Sequence, residues 1–305
     1  MPDSALRDLH PRTPTEVDSF RPSAARMYDY YLGGSNHLAA DREAADALLD
    51  AVPHVAEVAR QNRAFLRRVV EYAVRHGVTQ FLDLGSGFAS ADGLPDVALA
   101  LDSECRVVSV DIDPGVVTQV QTTVRASGLT DRVGALHADL RDLVGVLEHP
   151  VTRRLLDFDR PVAILCLAVL HFVPGELHRV LGPLRRTAAP GSLFAFSHAT
   201  AAAPISADAP TLPSPVSPAP VGRTRTQETY RPTAPDQTTI VRLIYDCTLT
   251  PLTLRSESEL RRAIGDLRLV SPGLVPVDRW HPASSGPESA GQPLAGMLAA
   301  VAHLR

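Results

Sequence analysis

Three features predict an α/β fold with a mostly parallel sheet and helices on both faces. Short apolar strands alternate with helical segments from residue 80 to residue 197. The first strand runs directly into a glycine turn, Gly85-Ser86-Gly87. Residues 161–169 (PVAILCLAV) form an unbroken apolar run. Strand–helix–strand repetition requires crossover connections and therefore parallel pairing. A strand covered on both faces loses the polar alternation of a half-exposed one.

The elements follow in order. Residues 1–20 carry Pro2, Pro11 and Pro14 with little apolar pattern and are expected to be a loose tail. Residues 21–36 gather three tyrosines and a Gly-Gly pair. Residues 41–49 and 54–76 read as helices, the second with an apolar face through Val55, Val58, Phe65, Val69 and Tyr72 and a stop at Gly77. Strands are expected at 80–84, 106–111, 133–138, 161–169 and 192–197, and helices at 92–101, 113–126, 141–158 and 176–188. Asp113-Pro114 supplies an N-cap and first turn. Eight prolines between Pro204 and Pro235 mark 199–236 as an extended insertion. Order resumes near 238–247. Ser256 and Glu259 make a capping box for a helix over 257–264, and late strands are expected at 267–270 and 294–302. The implied organisation is a tail (1–20), a helical cap (21–79), a ligand-binding core (80–198), the insertion (199–236) and a C-terminal part completing the same domain (237–305).

Composition narrows the function. The chain has 305 residues, 45% hydrophobic and 21% charged, with a net charge of −4. Those values suit an ordinary globule and give no basic surplus for nucleic acid. All 30 basic residues are Arg. Without Lys there is no Walker A phosphate loop and no lysine Schiff base. Cys105, Cys166 and Cys247 are far apart, so neither a zinc site nor a disulfide framework is expected, no metal is assigned, and a reducing cytoplasm fits best. No apolar run is long enough to cross a bilayer.

The chemistry concentrates between residues 81 and 111. Phe81-Leu82-Asp83-Leu84-Gly85-Ser86-Gly87 ends the first strand, and the next strand ends at Asp111. Neighbouring strand ends at a switch point form a ligand crevice, and glycines let a ligand approach the backbone. A carboxylate at Asp111 can accept both hydroxyls of a ribose. The third glycine of the dinucleotide fingerprint is missing; Ser90 stands there. Asp83, two residues before the turn, would repel a pyrophosphate but favours the ammonium and sulfonium of S-adenosylmethionine. Asp139, after the third strand, can accept from an adenine amino group or cap the following helix. His171, after the fourth, can serve as a general base or simply pack on the next helix.

These segments, with 23–46, 107–114, 137–142, 160–174, 184–200, 252–260 and 267–280, resemble in sequence and order an actinobacterial S-adenosyl methyltransferase family once catalogued as a domain of unknown function. The resemblance covers nearly the whole chain apart from the tail and the insertion. It implies a Rossmann-like class I methyltransferase fold, with a seven-stranded sheet and an added N-terminal helical cap. Three places depart from the family's pattern: Ser35-Asn36-His37, Ala91-Asp92-Gly93-Leu94-Pro95-Asp96, and Ile112. They are expected to surround the donor pocket.

The resulting expectation is methyl transfer from S-adenosylmethionine to an O, N or C nucleophile of a small molecule. Tyr28, Gly33, Gly34, Asp83, Gly85, Ser86, Gly87, Asp111, Ile112, Asp139, Leu140, Leu167 and Ala168 would form the donor site. Asp29 or His171 would act as base, and Arg26, Tyr31 and Arg63 would contact the acceptor or a carboxylate. The alternatives are a non-catalytic donor-binding regulatory protein, motivated by the departures, and an NAD-dependent oxidoreductase.

Overall fold

The computed structural model describes residues 14–200, 237–281 and 296–304. Most of the expected tail, nearly all of the proline-rich insertion and the start of the last strand lie outside them.

Five strands pair in parallel: β1 (Gln80–Leu84), β2 (Arg106–Asp111), β3 (Val133–His137), β4 (Ala163–Cys166) and β5 (Leu193–Ala199). Two-residue strands β6 (Arg268–Leu269) and β7 (Val275–Pro276) precede β8 (Met297–His303). The order is β3-β2-β1-β4-β5-β8-β6, with β8 antiparallel to β5. Seven strands lie on this path, the number expected; an eighth, β7, pairs on β8.

The helices are α1 (Ala24–Tyr31), α2 (Ala39–Ala51), α3 (Val55–Arg75), α4 (Leu94–Leu101), α5 (Pro114–Ala126), α6 (Leu143–Glu148), α7 (Pro150–Leu155), α8 (His178–Thr187), α9 (Gln237–Asp246) and α10 (Glu257–Ile264). The long helix expected over 141–158 is two. His149 takes extended ψ because Pro150 follows it, and its Nδ1 accepts from Val151 N to start α7. The capping box of α10 forms in both halves.

Strand alternation sorts the core onto two faces. Phe81, Val107 and Val133 pack with α3, α4 and α5, and Trp280 meets Phe65 edge-on at 5.3 Å. Leu82, Leu84 and Val110 pack on the opposite face with α6, α7, α8 and α10. Asp83 shares the side of Phe81, toward α3.

The cap has its own small core of Met27, Tyr31, Ala45, Leu48 and Ala59. Helix α9 joins it through Val241, Ile244 and Tyr245, so the cap draws on both sides of the sheet in sequence. Arg21 reinforces this, donating to the carbonyls of Cys247 at 3.2 Å and Thr248 at 2.7 Å. Ser23 Oγ donates to Asp113 at 2.7 Å, which docks the start of α1 on the β2–α5 turn.

Candidate functional site

A cavity of about 970 Å³ lies between the cap and the carboxyl ends of β1, β2 and β4. That is at the upper end of the ~300–1,000 Å³ usual for small-molecule sites. Its sheet side presents Asp83, Gly85, Ser86, Gly87, Asp111, Ile112, Asp139, Leu140, Leu167 and Ala168. Its cap side presents Tyr28, Tyr31 and Arg63.

Gly85 sits at φ +78°, and a Cβ there would lie 2.4 Å from Val169 Cγ2. Only glycine fits this turn against the β4 loop. Asp111 is held from both sides: Gly87 N donates to one carboxylate oxygen and Asp113 N to the other, each at 2.9 Å. Burial pushes its carboxyl up to about 6, against those two bonds. Asp83 is more isolated. It is 5% exposed and accepts no hydrogen bond among the described residues, and burial pushes it up to about 7 while Arg63 pulls the other way. The Ser86 hydroxyl and Arg63 Nε are likewise buried without partners.

Asp139 does not cap a helix; Asp142 does, accepting from Gly145 N. Arg141 grips the Asp139 carboxylate through Nε and Nη2, so any further acceptor role falls to its remaining lone pairs.

A polar chain that no motif announced ties the cap to the sheet. Ala168 N donates to Ser197 Oγ (2.8 Å), which donates to Asn62 Oδ1 (2.6 Å). Asn62 Nδ2 donates to the Tyr28 hydroxyl (2.9 Å), which donates to Ala59 O (3.0 Å). Ala168 is the one non-glycine described residue at positive φ, +51°, a conformation that surrounding bonds must hold. The signal available in sequence was a polar residue at an inward position, Asn62 on the apolar face of α3 and Ser197 within an apolar strand. Tyr245 and Arg255 were also missed. Arg255 donates to the carbonyls of Leu170, Val173 and Gly175 and to His198 Nε2, stapling the segment after β4.

Several expected roles need correction. Arg26 is 2% exposed and spent: Nε pairs with Asp41 at 2.7 Å, and Nη2 donates to the carbonyls of Asp18 and Arg21. It cannot clamp a substrate. Asp29, Gly33 and Gly34 face a separate hollow of about 580 Å³. Asp29 accepts from Asn36 N and Nδ2 and closes that turn, so it is not placed as a base for the main cavity. Two departures from the family pattern also lie away from the donor side: Asn36 on Asp29, and Asp92 beside the smaller hollow.

His171 lines the cavity, but Ala199 N donates to its Nδ1 at 3.1 Å. The neutral ring therefore carries its proton on Nε2. Burial, with His198 and Arg255 nearby, holds it well below the usual imidazole range. It is a poor base.

A family model described as S-adenosyl methyltransferase matches residues 10–211 and 221–305. The fold is similar to a crystal structure of a candidate methyltransferase from Thermobifida fusca, with TM-score 0.75 and 30% identity over 94% of this chain and 96% of that one. It is also similar to a DUF574-family protein from Streptomyces avermitilis, with TM-score 0.76 and 30% identity over 94% and 99%. No curated protein matches the sequence.

Proposed function

The chain belongs to the S-adenosyl methyltransferase family, and on that premise we propose that its main cavity seats the methyl donor on the sheet side and a small-molecule acceptor on the cap side. The protein is an S-adenosylmethionine-dependent methyltransferase. Family membership removes the dinucleotide alternative.

One observation carries the placement. Asp83 and Arg63 face the same cavity, and neither makes a hydrogen bond or close ion pair among the described residues. A buried carboxylate and a buried guanidinium nitrogen without partners are costly unless a ligand satisfies them. The donor's amino-acid end, with its ammonium and carboxylate, matches both. Asp83 takes the ammonium, and Arg63 takes the carboxylate, bidentately where geometry allows. Asp111, already oriented by two backbone N–H groups, accepts from the ribose hydroxyls. Ile112, Leu140 and the rim at Asp139 form the slot for the base, and Gly85 keeps the approach open beside Leu167 and Ala168.

When bound, the donor supplies an electrophilic methyl on a sulfonium. The protein's task is orientation and exclusion of water, worth ~7–11 kcal/mol when reactants are held in line. Tyr28 offers its ring from the cap while its hydroxyl anchors Asn62. Among the described residues no helix is long and apolar enough to cross a membrane. The free cysteines Cys105, Cys166 and Cys247 support placing the protein in a reducing cytoplasm.

Calorimetry with S-adenosylmethionine and S-adenosylhomocysteine, on wild type and on Asp111→Ala, tests this. Wild type should bind both and the variant at least ~10-fold more weakly, from lost charge-assisted bonds. Equal affinity would overturn the role of Asp111.

A further inference from the structure

The cap side of the cavity has a different chemistry from the sheet side. Val55, Val241, Leu252 and Phe172 supply an apolar wall, with Tyr31 and Tyr245 set into it. Arg21, at its edge, is occupied by two backbone carbonyls. Tyr31 is 6% exposed, and its hydroxyl is buried without a partner. Phenylalanine would fill the same space without that cost, so the hydroxyl is unexplained by packing.

Three polar groups set into this wall, Tyr31, Tyr245 and His171, can donate but not take a proton; His54 lies at the exposed edge of the cavity. Burial raises the Tyr31 phenol well above the usual range, with Tyr245 and Asp46 adding to it. Tyr245 is pushed up to about 12 by burial. Both phenols stay protonated at neutral pH. His171 presents an N–H for the reason given above. These three groups can place an acceptor; they cannot ionise one.

Resting on the donor placement above, we infer that the acceptor is a flat, apolar molecule bearing an acidic phenol or enol hydroxyl and a carbonyl that takes the Tyr31 O–H. The acceptor loses its proton to water before binding. Its oxygen then forms the bond to the methyl carbon as the carbon–sulfur bond breaks, and that electron pair stays on sulfur. An oxyanion and a sulfonium thus give a neutral ether and a neutral thioether. An aliphatic alcohol would arrive neutral and weakly nucleophilic, and an ammonium ion without a lone pair.

The test is calorimetry on protein saturated with S-adenosylhomocysteine. The probes are a hydroxynaphthoquinone, a hydroxyflavone and a hydroxycoumarin, against ethanolamine, serine and glucose. At least one of the first set should bind at one per chain, and none of the second. Tyr31→Phe should weaken that binding by about 3- to 10-fold, while S-adenosylhomocysteine affinity is unchanged and the melting temperature is unchanged or higher. The inference is overturned if none of the aromatic probes binds, if a polar probe binds more tightly, or if Tyr31→Phe binds the aromatic probe as wild type does. If S-adenosylhomocysteine fails to bind but an aromatic probe binds through Tyr31, the donor placement falls and the acceptor wall stands. If the reverse holds, only this inference falls.

Discussion

Ser197 on β5 and Asn62 on α3 share a hydrogen bond of 2.6 Å, and both are buried. That bond joins the cap to the segment after β4, because Ser197 also receives the N–H of left-handed Ala168. Asn62→Ala or Ser197→Ala should each cost about 1–3 kcal/mol in urea unfolding. The double variant should cost less than the two together, since they belong to one chain of bonds. Additive losses would mean that the two side chains act separately.

Gly85→Ala should destabilise by about 2–4 kcal/mol and abolish detectable donor binding. The cost combines the left-handed backbone with the clash on Val169. Adding Val169→Ala should recover part of the stability, because it removes only the clash. At Gly87 nothing lies within 4 Å of a built Cβ, so Gly87→Ala should cost only the backbone strain of about 1–2 kcal/mol.

Asp83 makes a pH prediction. Its folded-state pKa of about 7 lies above the ordinary carboxylate value because burial disfavours the charge. Between about pH 4 and 7 the native state therefore holds a proton that the unfolded chain has released. Stability of the ligand-free protein from this group falls as pH rises through that window. Asp83→Asn should melt higher than wild type at pH 8, with the difference vanishing near pH 4. Its affinity for S-adenosylhomocysteine should be lower and should lose the wild-type rise between pH 6 and 8. A constant melting difference across that range would argue against a buried ionisation at this site.

The two cap arginines should separate stability from binding. Arg26→Met strands the Asp41 carboxylate, whose side chain is 0% exposed, and should cost about 3–5 kcal/mol. Arg63→Gln breaks no bond in the ligand-free protein. It should leave the melting temperature within a few degrees of wild type while weakening donor binding about 10-fold or more. Thermal melts with paired titrations would distinguish them.

The sheet was legible in the sequence because its signals are local. The strand ends at Leu84 and Asp111, the cap at Asp113-Pro114 and the box at Ser256 and Glu259 stand where alternation and capping rules put them. The glycine turn and Asp111 were legible for the same reason. The cap was harder. Arg26, Arg63 and Asp29 look alike in a string of letters; only packing shows that Asp41 consumes the first, that the second is left without a partner, and that Asn36 occupies the third. The Asn62–Ser197 bond joins residues distant in sequence, where no periodicity reports contact. The same holds for α9, whose apolar face is completed by a helix from the other end of the fold.

That pairing has a consequence for synthesis. Helix α2 leaves the ribosome early, yet α9, which covers part of its apolar face, is made only after strands β1 to β5. On a growing chain the roof over the crevice therefore stays open while the sheet beneath it assembles. The nascent protein passes through a stage in which Leu48 and its neighbours lack their final cover, a stage at which holdase chaperones would find them.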